Sequence, residues 1–145
     1  MQLTINALAL LAAASAALAG PNPTSVKVTF DQTYDNPSYS LSNVACSNGD
    51  NGLLTLGYTT LDSLPGFPYV GGSMFVSGWN SPQCGSCWTL TGPTGETINL
   101  IAVDTSGVGF NVATHALQVL GGDAALAAGS AEVTVVAADP SACGF

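Results

Sequence analysis

The chain has 145 residues and a formal charge of −8 at pH 7, because nine carboxylates face a single basic side chain, Lys27. Lysines and arginines give proteins their affinity for nucleic-acid backbones, so nucleic-acid binding is excluded, and anionic membranes and phosphorylated substrates are disfavoured. Only 7% of the residues are charged, so neutral polar and apolar groups must form most of the surface. Such a surface suits glycans or interfaces, and a net charge that only maintains solubility is equally compatible.

The first 19 residues have the pattern of a cleaved secretory signal peptide, although no lysine or arginine precedes the apolar run. That run covers residues 7–19 and is shorter than the roughly 20 residues that a transmembrane helix needs. It ends Ala17-Leu18-Ala19, with small residues at the two positions that signal peptidase inspects. We predict a signal peptide over residues 1–19 and one domain over residues 20–145, secreted to the extracellular space or the cell wall, with no membrane span.

Four cysteines lie in the predicted mature domain, and an even number in a small exported chain indicates a disulfide framework with three pairings open to it. Residues 84–87 also fit a CxxC redox motif, but no βαβ unit precedes them. A zinc site would need further ligands at metal spacing, and the only histidine is His115. We therefore expect structural disulfides, no metal and no other cofactor. The cysteines are Cys46, Cys84, Cys87 and Cys143.

Turn signals separate the predicted elements of the amino-terminal half. Residues 26–30 alternate apolar and polar side chains, the period of a half-buried strand. Residues 35–38 predict a turn, and residues 60–64 fit one helical turn with a threonine cap and a proline stop. The prolines and glycines of residues 65–72, including Gly71 and Gly72, predict a loop.

The carboxyl-terminal half is predicted to hold most of the sheet and one helix. The helix covers residues 112–120, with Asn111 as its N-cap and Gly121 as its stop. Short strands with little helix and no internal repeat indicate a small β-barrel whose function lies in its loops. The predicted strands cover residues 87–91, 97–103 and 132–137.

Five motifs follow one another at fixed spacing through the predicted mature domain. They are residues 44–50 (VACSNGD), 64–68 (LPGFP), 78–88 (GWNSPQCGSCW), 103–105 (VDT) and 109–112 (GFNV). Together they resemble the cerato-platanin family of small secreted fungal proteins. The resemblance extends over nearly the whole mature domain and includes all four cysteines, which makes it far more specific than the CxxC motif alone.

The resemblance implies a mainly β, single-domain fold, a double-psi β-barrel of about six strands with short helices and two disulfides. It implies the pairs Cys46–Cys84 and Cys87–Cys143. It also implies non-hydrolytic binding of chitin (N-acetylglucosamine) oligomers, expansin-like loosening of cell walls, surface activity and elicitation of plant defence. The implied partners are chitin or other cell-wall polysaccharide fragments, a plant surface receptor, and further copies of the chain at interfaces.

Asp104 is the leading candidate for a site residue, because it ends the most apolar predicted strand where a loop begins. The resemblance implies that its carboxylate lines a glycan groove and accepts hydrogen bonds from sugar hydroxyls. The alternative is a loop cap that binds backbone amides. Further carbohydrate-binding candidates are Tyr58, Phe110, Asn111, Ser106 and Gly109. The chain lacks the arginine that many family members place beside the glycines of this loop.

Aromatic side chains and His115 have competing interpretations. Trp79 and Phe67 could also stack on sugars, but aromatics in a small barrel more often belong to the core, and Trp88 beside Cys87 is expected there. His115 in the predicted helix is expected to be a packing or surface residue. No catalytic motif accompanies it, and we expect no enzyme activity.

Two other functions are open. One is weak endoglucanase-like hydrolysis on the same barrel, which needs two carboxylates about 5–9.5 Å apart. Asp31, Asp35 and Asp50 are the candidate partners of Asp104. The other is hydrophobin-like self-assembly at interfaces, suggested by the small number of charges.

Overall fold

Six strands and one main helix form the fold of residues 22–145, the part of the chain that the computed structural model describes. The predicted signal peptide lies outside the described residues. Among residues 22–145, no helix has the length and apolar character that crossing a bilayer requires. The elements are β1 (Thr24–Phe30), β2 (Val70–Ser73), β3 (Cys87–Thr91), β4 (Thr97–Thr105), β5 (Phe110–Val112), α1 (Thr114–Ala128) and β6 (Ser130–Ala138).

The strands close into a barrel in the order β1-β5-β2-β4-β3-β6, with β6 returning to β1. The pairs β1–β5 and β2–β4 are parallel, and the other four are antiparallel. Closure leaves no strand edge open, so every strand is paired on both sides. The predicted double-psi β-barrel is confirmed. Three short 3₁₀ helices lie in the connection between β1 and β2, at Gln32–Asp35, Leu41–Asn43 and Leu61–Ser63, and a fourth follows β6 at Pro140–Cys143.

The core combines residues from all six strands with the buried face of α1, where Ala116, Leu117 and Leu120 are buried. Disulfides join Cys46 to Cys84 and Cys87 to Cys143, so the expected pairing is confirmed. The first bridge ties together two loops, and the second ties the last 3₁₀ helix to β3.

Strand β2 corrects the loop predicted over residues 65–72. Gly71 pairs with Val112 and Gly72 with Asn111 of β5, and both glycines also pair with β4. A Cβ at Gly71 would lie 2.3 Å from the carbonyl oxygen of Asn111, and one at Gly72 would lie 2.3 Å from that of Thr105. The glycines are therefore present because neighbouring strands approach too closely for a side chain.

The start of the helix also differs from the prediction. Val112 belongs to β5, so the helix begins at Thr114, and Asn111 is a strand residue instead of the N-cap. The cap comes from another segment, because the Asp35 carboxylate accepts hydrogen bonds from the Thr114 N–H (2.7 Å) and hydroxyl (2.5 Å). The chain passes the predicted stop and leaves helical geometry at Gly122 (φ 68°) before the helix continues to Ala128.

We expect Asp35→Ala to lower the free energy of unfolding by about 0.5–2 kcal/mol, the usual cost of removing a helix cap. Urea denaturation followed by circular dichroism measures the loss. The matched control is Asp123→Ala, which removes an exposed carboxylate from α1 itself and should change stability by no more than about 0.5 kcal/mol. Equal stabilities for the two variants would show that Asp35 does not act as a cap.

Candidate functional site

Asp104 lies at the penultimate position of β4, and its two carboxylate oxygens have different surroundings. Oδ1 accepts hydrogen bonds from the backbone N–H groups of Ala45 (3.0 Å) and Thr105 (2.8 Å). Oδ2 has only a long contact, 3.4 Å, with the hydroxyl of Tyr34. The loop cap and the ligand hypotheses are therefore compatible, because Oδ1 holds the backbone while Oδ2 keeps acceptor capacity.

Tyr34 was not among the sequence candidates, and its buried side chain contacts Asp104 through the hydroxyl. Its side chain is 5% exposed and belongs to the 3₁₀ helix Gln32–Asp35. Burial raises the pKa of Tyr34 well above its usual range, and the nearby Asp104 carboxylate raises that pKa further. The phenol therefore keeps its proton and donates to Oδ2 at every physiological pH.

Gly72 separates Asp104 from a second polar side chain. It pairs with Asp104 on β4 and with Asn111 on β5, so the three residues form one row across three strands. Residues paired across strands share a face of the sheet, so the side chains of Asp104 and Asn111 lie on the same face, one on each side of Gly72. Asn111 is half-buried and its Oδ1 accepts from the Thr29 hydroxyl at 3.0 Å. We call Tyr34, Gly72, Asp104 and Asn111 the Asp104 cluster.

Phe110 does not offer a face to a ligand, so that expectation is wrong. Its side chain is 0% exposed and lies edge-on to the rings of Phe75 (6.1 Å between centroids) and Trp88 (6.0 Å). Phe75 and Trp88 stack on each other at 4.3 Å. Trp88 is half-buried and packs against the core, in line with its expected place.

The loop between β4 and β5 uses its polar groups internally. The Ser106 N–H donates to the Ser73 carbonyl (3.2 Å), and the Ser106 hydroxyl donates to the Val108 carbonyl (2.8 Å). Gly109 is buried with φ 50°, and a Cβ there would lie 1.8 Å from the Lys27 carbonyl oxygen. Ser106 and Gly109 therefore shape the loop beside Asp104, and these contacts account for both residues without a ligand.

Tyr58 packs against the carboxyl-terminal residue and not against the Asp104 cluster. Its ring is half-buried and meets the ring of Phe145 edge to face, with 5.8 Å between centroids. Phe145 follows Gly144, which lines a groove of about 600 Å³. The groove includes Thr97 and Asn99 at the start of β4, whereas Asp104 lies near its end, so the groove and the Asp104 cluster are at opposite ends of that strand. Its other lining residues include Pro65, Phe67, Tyr69 and Ser141.

Two carboxylates proposed as hydrolytic partners of Asp104 have structural contacts. Asp31 accepts from the Thr33 N–H (2.8 Å) at the start of a 3₁₀ helix, and Asp35 caps α1. His115 is exposed and its ring stacks on Tyr69 at 6.1 Å, away from Asp104 in the contacts of the described chain. No group of three His, Cys, Asp or Glu side chains within residues 22–145 could hold a metal ion.

Comparison with known proteins extends these observations. The family model for cerato-platanin matches residues 26–145. The heat-stable 19 kDa antigen of Coccidioides immitis is 42% identical over 127 residues, which cover 88% of this chain and 86% of the antigen. The crystal structure of cerato-platanin 3 from M. perniciosa has a TM-score of 0.80 and 43% identity, covering 84% of this chain and 100% of that one.

A third relative carries a functional description. The solution structure of "the fungal elicitor Cerato-Platanin" has a TM-score of 0.72 and 41% identity, covering 81% of this chain and 96% of that one. Residues 26–145, which the family model matches, include all six strands except the first two residues of β1, both disulfides and the whole Asp104 cluster. The resemblance seen in the motifs is therefore confirmed, and the chain belongs to the cerato-platanin family.

Proposed function

We propose that the protein is a secreted, non-hydrolytic binder of chitin oligomers whose ligand contacts the Asp104 carboxylate. The observation that supports this most is the asymmetry of that group. Two backbone amides fix Oδ1, while Oδ2 has one long contact. The carboxylate is thus held in place through Oδ1, and Oδ2 can accept further hydrogen bonds. Such a group suits the hydroxyl and amide donors of an N-acetylglucosamine unit.

Charge favours a neutral ligand over a charged one. The chain carries one basic side chain against nine acidic ones, so an anionic polysaccharide would be repelled. Cationic ligands would be attracted by the whole surface and would not require the particular geometry of Asp104. Neutral chitin fragments fit both the charge and the hydrogen-bonding groups of the cluster.

The biological role that we propose follows from the family. One relative is titled a fungal elicitor and another is named a heat-stable antigen. We extend these roles to this chain as elicitation of plant defence through a plant surface receptor, and as expansin-like loosening of cell-wall polysaccharide. Export through the predicted signal peptide is part of the same proposal. An intact mass of the secreted protein that begins at Gly20 would support it, and retention of residues 1–19 would contradict it.

We expect Asp104→Ala to weaken binding of chitin hexamer by about ten- to hundredfold, since a hydrogen bond to a charged group contributes about 1.5–3 kcal/mol. Isothermal titration calorimetry measures the affinity, and thermal melting measures the cost of losing the loop cap. Asp104→Asn separates the two effects. Its amide oxygen can still accept from Ala45 and Thr105, while its NH₂ group replaces the free acceptor.

The matched control is Glu96→Gln, which removes one negative charge before the start of β4. Eight residues of strand at about 3.3 Å each place it roughly 25 Å from Asp104. Unchanged affinity in the Asp104 variants, with the fold intact, would exclude Asp104 as a ligand. If reducing ends accumulate from chitin or glucan with the parent protein and vanish with Asp104→Asn, the hydrolase alternative is correct.

Surface activity is the second candidate function, because five large apolar side chains are exposed among the described residues. A film-forming protein places such groups at an air–water boundary. Surface tension that falls with protein concentration, together with concentration-dependent assembly, would support this function. The five residues are Leu56, Met74, Trp79, Val108 and Phe145.

A further inference from the structure

Trp79 is 63% exposed and is nevertheless held in a defined position. Its indole N–H donates to Oδ1 of Asn48 at 2.7 Å. The edge of the ring lies over Gly49, where an added Cβ would meet the ring carbon Cζ2 at 3.1 Å. One side of the indole is therefore fixed against the loop while much of the ring is open to solvent.

The loops that carry this ring are themselves tied together. The Asn51 N–H donates to Oδ1 of Asn80 at 2.9 Å, and the Asn51 side-chain amide donates to the Asn80 carbonyl at 3.0 Å. Asn80, the residue after Trp79, adopts φ 59°, a conformation uncommon outside glycine. The Cys46–Cys84 disulfide closes the same two loops. The indole is thus presented by a rigid support.

An exposed tryptophan is costly in water unless something covers it, because its ring is a large apolar surface. Here the polar N–H already has its partner, so a ligand that covers the ring leaves no polar group unsatisfied. The ring is also held before binding, which reduces the entropy lost when a ligand docks. These are the properties of a stacking platform.

The platform and the Asp104 cluster lie on the same end of the barrel. The Cys46 N–H donates to the Val103 carbonyl (3.1 Å), and the Gly85 N–H donates to the Ala102 carbonyl (2.8 Å), so both loops attach to the last part of β4. The Ala45 N–H binds Asp104, and Asn48 three residues later binds Trp79. Three residues span at most about 11 Å, which places the two sites within reach of one oligosaccharide.

We propose that Trp79 is a second sugar subsite, on which the apolar face of a pyranose ring of the same chitin chain stacks. This inference rests on the proposed function and adds a residue to it. Asn48 bonds the indole N–H, and Asn51 and Asn80 bond each other in the loops that support the ring. Neutral hydrogen-bonding groups therefore accompany an apolar face, as in other sites that bind polar ligands with apolar faces.

The test compares chitin hexamer with the single sugar N-acetylglucosamine. We expect Trp79→Ala to weaken binding of the hexamer about five- to tenfold, the effect of one aromatic contact. It should weaken binding of the single sugar less than twofold, because one pyranose ring occupies only the Asp104 cluster. Trp79→Phe keeps a flat face and should restore most of the affinity. The hexamer should also shift the indole N–H resonance of Trp79 in a ¹H–¹⁵N NMR spectrum.

Leu56→Ala is the matched control, because Leu56 is 64% exposed on the loop that carries Asn48, the partner of Trp79, and has no flat ring. It should leave hexamer affinity unchanged. If Leu56→Ala and Trp79→Ala weaken binding equally, the surface is generally apolar and the stacking subsite is wrong. If the folded Trp79→Ala protein binds hexamer like the parent, the subsite is also wrong while the proposed function stands. If the parent binds no chitin hexamer, the proposed function fails and the subsite fails with it.

Discussion

Replacing Cys87 and Cys143 together by alanine is expected to lower the free energy of unfolding by about 2–5 kcal/mol. The bridge joins residues 56 positions apart. A cross-link of that length restricts the unfolded chain by about 4 kcal/mol in the loop-entropy description. Alanine is the right replacement because Cys143 is buried. A serine there would bury a hydroxyl group, which would itself lower the stability. Urea denaturation of the oxidised parent and the double variant measures the difference.

The same variant separates the roles of the two bridges. Without Cys87–Cys143, the 3₁₀ helix Pro140–Cys143 loses its covalent tie to β3, so hydrogen exchange should accelerate there first. The Asp104 cluster has no contact with this bridge, and hexamer affinity of the folded protein should persist. The control is the double variant Cys46→Ala/Cys84→Ala, which releases the loops that carry Ala45 and Trp79 and should weaken binding. The reverse pattern of binding would contradict our placement of the site.

Gly109→Ala is expected to destabilise the protein by about 2–5 kcal/mol. The residue has φ 50°, which costs an alanine about 1–2 kcal/mol. The new Cβ would also lie 1.8 Å from the Lys27 carbonyl oxygen. That oxygen belongs to the backbone of β1, which pairs with β5 directly beside this point, so no flexible side chain can move aside. The strands must separate, which adds about 1–3 kcal/mol as in other overpacked interiors.

Gly95→Ala is the matched control for this prediction. Gly95 has φ 92°, and an added Cβ would meet no atom within 4 Å. Gly95→Ala should therefore lower the free energy of unfolding only by the cost of placing an alanine at positive φ, about 1–2 kcal/mol. Thermal and urea unfolding of the two variants would measure the difference. Equal losses would mean that the carbonyl contact carries no cost, and that Gly109 has a role other than close packing of β1 and β5.

Much of the fold could be predicted because four strands show their pattern in sequence. Residues 26–30, 87–91, 97–103 and 132–137 lie within β1, β3, β4 and β6. Strands β2 and β5 were missed for a physical reason. They are short and paired on both sides, so tertiary contacts stabilise them more than local preference does. The glycines of β2 serve strand packing, whereas local rules associate them with turns.

The site was only partly predictable. Asp104 stood out because a carboxylate follows an apolar strand, but its neighbour Tyr34 lies 70 positions earlier and carries no local signal. Phe110 was mistaken for a groove residue, although the apolar–polar–apolar order of residues 110–112 fits a strand with Phe110 and Val112 buried. Trp79 was a candidate for stacking, yet sequence could not distinguish an exposed indole from a core one, because its exposure depends on the disulfide-linked loops.

The pairing of β1 with β6 determines when the barrel can form. Each of the six residue pairs between these strands joins positions more than 100 apart, from Thr24 with Val135 to Thr29 with Ser130. The first strand can therefore pair with β6, and the barrel can close, only after the last strand has been synthesised. Topologies dominated by such distant pairings fold slowly, because the chain loses the entropy of closing a long loop before the contacts between the distant strands stabilise it. A nascent chain that stays open until its last residues emerge can pass through a translocation channel unfolded, which suits the export that we propose.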